Sequence, residues 1–176
     1  MSDKMLKFVN TDKEMPEKRD AGDRVADFDE IYNEFDVASA ETQASRCSQC
    51  GVPFCQINCP LHNNIPDWLM LTAEGRMEEA YRISAQTNNM PEICGRICPQ
   101  DRLCECSCVI EKGLESVTIG AVERHITETA FENGWVQPPQ HTRPLHPADA
   151  AHCELRLVRQ PNARANVFAC PHRDNS

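Results

Sequence analysis

The sequence predicts an all-α fold class: a small helical domain wrapped around two cysteine-rich loops, with an irregular N-terminal arm and a C-terminal tail. Three observations predict it. Apolar residues recur three and four positions apart in several segments, the period of a helix with one buried face. No segment alternates apolar and polar residues convincingly, as a half-buried strand would. Two short blocks, CSQCGVPFCQINCP from Cys47 and CGRICPQDRLCECSC from Cys94, concentrate the thiols and interrupt the helical pattern.

Taken in order, residues 1–25 are charged and mostly polar, with Pro16 as a breaker, and read as an arm. From Asp27 the pattern turns helical, with Phe28, Ile31, Tyr32 and Phe35 at spacings of three and four. That helix is expected to run through ASAETQAS and deliver the first cysteine block. Asn63–Asn64 with Pro66 behind marks a helix start, Trp68, Leu69 and Leu71 its body, and Gly75 its end. A short helix fits Met77 to Gln86, where Met77, Ala80, Tyr81 and Ile83 are apolar. Asn88–Asn89–Met90–Pro91 reads as a loop into the second block. The last helix is expected from about Thr118 to Asn133, closed by Gly134. The domain proper is thus 26–136, and 137–176 is a tail.

That tail has no Lys, Ile or Gly but four of the six histidines and six of the twelve prolines. It keeps no helical or strand period and is expected to be disordered. His141, His146, His152 and Cys153 match no metal spacing there.

Composition narrows the function. The 176 residues carry a net charge of −9, which argues against nucleic acid and anionic membrane surfaces as partners. Residues 1–135 hold 13 basic and 24 acidic side chains, whereas 136–176 hold five Arg and three acids. No apolar run is long enough to cross a membrane, and MSDKMLKFVNTDKEMPEKRD lacks an apolar leader core. The expected location is cytoplasmic, where eleven cysteines point to metal rather than disulfides.

The blocks are spaced C-x2-C-x4-C-x3-C-P and C-x3-C-P-x4-C-x-C-x-C. Local triplets of thiolates can wrap three corners of an iron–sulfur cube, and the fourth ligand must then come from farther away. In ferredoxin-type runs the cysteine before proline serves the neighbouring cluster, and Cys59-Pro60 and Cys98-Pro99 both have that form. The alternative is structural zinc in two four-thiolate sites. Four thiols this close are crowded for one zinc, which favours iron–sulfur.

QASRCSQCGVPFCQINCPLHNNIPDWL, followed by NNMPEICGRICPQDRLCECSCVIE, resembles a known domain. It is the twin 4Fe–4S domain that begins the small (β) subunit of bacterial NADPH-dependent glutamate synthase, and the same domain type begins dihydropyrimidine dehydrogenase. FVNTDKEMPEKR and DRVADFDEIY resemble the glutamate synthase branch, and the resemblance covers residues 1 to about 136. It implies a crossed ligand set. Cys47, Cys50, Cys55 and Cys108 would bind one 4Fe–4S cluster, and Cys59, Cys98 and Cys104 a second, with Glu123 as its fourth ligand. Cys94 would pack beside a cluster without binding. Cys106, where the family usually has small or polar residues, offers an alternative to Cys108. Cys153 and Cys170 would bind nothing.

Periodicity bears on Glu123 separately. Ile119, Val122, Glu123, Ile126 and Ala130 fall on one stripe of the last helix. A carboxylate on an apolar face is costly unless paired or metal-bound. Pairing with Arg124 or Arg96, or reaching outward to water, is the alternative.

In the resembling family, FAD and NADPH domains follow. Only seven glycines occur here and none lies beyond Gly134, so no G-x-G-x-x-G turn follows the cluster domain. The expectation is a truncated or frameshifted small subunit that relays electrons from NADPH and FAD to the large (α) subunit for glutamate synthesis. No catalytic residue is expected in this chain, and it should not be active alone. A free-standing ferredoxin-like carrier and a zinc-stabilised interaction module are the alternatives.

Overall fold

The computed structural model describes residues 4–137, 156–158 and 167–169. The chain divides into two compact units, Met1–Val136 and Gln137–Ser176.

The first unit is helical. After a 3-10 turn at Lys7–Val9 come α1 (Ala21–Ala26), α2 (Val37–Ala44), α3 (Phe54–Ile57), α4 (Ile65–Ala73), α5 (Met77–Ser84), α6 (Pro91–Ile97), α7 (Glu111–Leu114) and α8 (Ile119–Glu132). No helix among the described residues is long and apolar enough to cross a membrane. In the core, α8 lies against α2, α4, α5 and, most extensively, α6. Trp68, Leu69, Ala80, Val122, Ile126 and Ala130 are almost wholly buried there. Each large apolar side chain among them contributes about 1.5–3 kcal/mol by leaving water. Asn63 joins two of these helices, accepting from Trp68 Nε1 at 2.8 Å and donating to the Ser84 carbonyl at 2.8 Å.

The helix expected from Asp27 begins only at Val37, as α2, whose end delivers the first cysteine block. Asp20 caps α1 by accepting from Gly22 N–H, and Asp36 caps α2 by accepting from Ser39 N–H. Between them Asp27 accepts from Asp29 N–H at 3.0 Å and takes the Arg19 guanidinium at 2.6 and 3.1 Å. These local bonds compete with a helical ladder. Residues around Tyr32 are extended and bridge to Lys18, with Arg19 N–H bonded to the Ile31 carbonyl. Phe28 is fully exposed, so its three-and-four spacing with Ile31 marks no core face.

The N-terminal arm is mostly irregular but anchored. Met5 is buried, Lys7 N–H bonds the Ser45 carbonyl, and Gln43 clamps Asp12 O and Glu14 N–H. The helices expected at 63–75, 77–86 and 118–133 are α4, α5 and α8. Gly75 and Gly134 follow α4 and α8 with φ of +77° and +70°, left-handed positions that suit glycine.

In the second unit the described residues form two antiparallel strands, β1 (Arg156–Val158) and β2 (Val167–Ala169), in a register that pairs Leu157 with Phe168. This pair is a correction to the reading that no strand pattern exists; three residues are too few for alternation to register. The rest of that reading, with His141, His146, His152, Cys153 and Cys170, lies outside the described residues.

Candidate metal centre

Four cysteines surround one cavity. Cys47 lies just beyond the end of α2, Cys50 in the loop after it, Cys55 in α3 and Cys108 in the turns before α7. They line a cavity with Leu69, Val117 and Ile119 among its apolar walls. Cys106 is exposed and outside that lining.

Local structure explains the convergence. Cys47 N–H bonds the Ala44 carbonyl, continuing the turn off α2. Gln49 takes a left-handed φ of 49°, which reverses the chain between Cys47 and Cys50. Its amide donates to the Pro66 carbonyl at 2.8 Å and to Cys47 Sγ at 3.4 Å, and Ser48 Oγ lies 3.0 Å from Cys50 Sγ. Arg46 fastens the two blocks together. Its wholly buried guanidinium donates to the carbonyls of Thr11, Leu114, Glu115 and Ser116 at 2.7–3.1 Å.

Burial raises two of these thiols. Cys47 is pushed up to about 11 and Cys55 to about 12, with neighbouring cysteines adding to the effect. Without metal they are neutral at pH 7, and binding iron must release their protons.

A second group gathers where α6 meets α8. Gly95 sits so close that an added Cβ would lie 2.9 Å from Arg124 N and 3.0 Å from the Gly120 carbonyl. Gln100 fills the space over Gly120 and donates to the Cys94 carbonyl. Glu105 accepts from Gly120 N–H and from Lys13, pinning the turn that carries Cys104 to the start of α8. The Cys98 and Cys104 thiols are both raised, first by burial and also by the negative charges of Glu123 and Cys59. Glu123 and Cys59 thus both act on Cys98 and on Cys104. Cys94 adjoins Cys98 and also raises its thiol.

Glu123 is 9 % exposed, and its Oε1 accepts from Asn88 Nδ2 at 3.1 Å. Burial pushes its carboxyl up to about 7. It pairs with neither arginine considered from the sequence: Arg96 holds Glu30 and Glu128, and Arg124 faces Glu30 and the Tyr32 carbonyl. It does not reach out to water.

Among the described residues no three His, Cys, Asp or Glu side chains converge closely enough for a single metal ion. At the first group the thiols border a cavity instead. Arg46, Gln49 and Asn88 carry no sequence signal for these parts, since a lone polar residue beside a cysteine or in a loop looks like any turn former.

The profile of the family described as dihydropyrimidine dehydrogenase domain II, 4Fe-4S cluster, matches residues 24–135. The chain belongs to this family. Its cofactors, as a dihydropyrimidine dehydrogenase domain II protein, are 4Fe–4S clusters, which the thiols lining an apolar cavity suit. Over 143 residues it is 61 % identical to the glutamate synthase (NADPH) small chain of Azospirillum brasilense, covering 81 % of this chain and 30 % of that one. The namesake from Escherichia coli (strain K12) is 48 % identical over 77 % of this chain and 29 % of its own length. The putative oxidoreductase AegA of the same organism is 47 % identical over 68 % and 18 %. The chain thus spans less than a third of these curated relatives.

Proposed function

We propose that residues 26–136 are the electron-relay domain of a glutamate synthase (NADPH) small chain. Cys47, Cys50, Cys55 and Cys108 hold one 4Fe–4S cluster, and Cys59, Cys98, Cys104 and Glu123 hold the other. When bound, each cluster accepts and returns single electrons. The protein supplies the rest: apolar walls around the first site, donors from Gln49 and Ser48 to its sulfurs, and a close α6–α8 contact at the second. In the complete small chain the electrons come from NADPH through FAD. They leave to the large (α) subunit, where glutamate is made, in the cytoplasm.

The observation that carries this reading is the cavity, where three cysteines of the first block meet Cys108 from the second. The identity to small chains of glutamate synthase supports the wider role. The full chain, purified without oxygen, is expected to bind about eight irons and eight acid-labile sulfides, as two 4Fe–4S clusters require. Stoichiometric zinc with negligible sulfide would sink the proposal.

A further inference from the structure

The loop between α5 and α6 holds a buried amide whose orientation is fixed. Asn88 is 3 % exposed. Its Oδ1 accepts from Met90 N–H at 3.0 Å and from the Cys94 thiol at 3.7 Å. Two donors at that oxygen exclude the flipped amide, which would set N–H against N–H. The NH2 group must therefore face the opposite way, and there it donates to Glu123 Oε1.

We propose that Asn88 is a positioning residue for the second cluster: it holds Glu123 by Oε1 and leaves Oε2 as the oxygen that meets iron. The inference rests on the reading of Glu123 as a ligand and names what makes that ligand competent. A carboxylate that binds metal through one oxygen keeps negative charge on the other, and burial leaves that oxygen in need of a donor. An amide meets the need without adding charge, whereas a lysine or arginine would draw the carboxylate into an ion pair. Partners of this kind orient metal ligands in many sites. Cys94 enters as a support, because its thiol completes the pair of donors that orients the amide.

The test uses the full chain, reconstituted with iron and sulfide without oxygen, reduced, and read by electron paramagnetic resonance alongside a thermal melt. Asn88→Asp keeps the acceptor for Met90 N–H but puts an oxygen against Glu123; Asn88→Ala removes the donor outright. Both are expected to shift or lose the signal of one cluster, the same one that Glu123→Ala disturbs, and to leave the other intact. In a Glu123→Cys background, where a thiolate fills the corner unaided, Asn88→Asp is expected to be silent.

If both Asn88 variants keep the parent spectra while Glu123→Ala disturbs one, the role of Asn88 is overturned and the ligand reading stands. Equal disturbance by Asn88→Asp in the Glu123→Cys background makes Asn88 a loop support, which also overturns the inference. A silent Glu123→Ala removes the ligand reading first, and this inference with it.

Discussion

Replacing Gly95 by alanine tests whether the close approach of α6 and α8 seats the second group of proposed ligands. The new Cβ would find Arg124 N at 2.9 Å, the Gly120 carbonyl at 3.0 Å and Arg124 Cα at 3.1 Å. All three belong to the backbone of α8, so no side chain can swing aside. Carbon contacts settle at about 3.5 Å or more, so the helices must separate by roughly half an ångström. Overpacking of this kind costs about 1–3 kcal/mol, against about 0.5–1 kcal/mol gained from alanine's helix preference. The expected net loss is about 1 kcal/mol and at most about 2.5 kcal/mol, or several degrees in Tm. The shift also carries Cys98, at the end of α6, away from Glu123 on α8. Thermal melts and paramagnetic spectra of the reconstituted chain would show both effects, confined to one cluster. Gly113→Ala is the control, because nothing lies within 4 Å of its added Cβ. A Gly95→Ala protein as stable as its parent, with both spectra unchanged, would refute the argument.

Two further outcomes are expected. Arg46→Ala should cost about 3–5 kcal/mol in denaturant unfolding, since it strands several inward-facing carbonyls and empties a buried site; a loss under about 1 kcal/mol would count against the clamp. Cys108→Ala should remove about half the iron, whereas Cys106→Ala should keep it all, because only Cys108 lines the cavity; equal losses would point to slippage between the two.

The long, periodic segments were the legible part of the fold. The apolar stripes of α4, α5 and α8 are read correctly because tertiary packing uses the faces that the 3.6-residue period marks. The segment from Asp27 misleads because Phe28 and Ile31 keep that period while their backbone is drawn into turns by Asp27 and Arg19. The short helices α3 and α6 are hidden for another reason, as four and seven residues hold too few repeats. At the site, the thiol spacing announces metal, and the stripe through Glu123 announces an anomalous carboxylate. Nothing in the letters says that Gly95 must be glycine for contact, or that Asn88 points its amide inward. Those facts exist only once distant segments meet.

The grip of Arg46 on the Ser116 carbonyl spans 70 residues, and the first cavity draws its walls from both sides of that gap. A chain made from its N-terminus exposes Cys47, Cys50 and Cys55 well before Cys108 and the strap at 114–116 exist. For that interval the nascent protein carries a three-thiol half-cradle, open to water and to oxidants. Completion of the cage and burial of the guanidinium then come together, late and cooperatively. On the proposed ligand set, the order of synthesis therefore makes iron loading a finishing step.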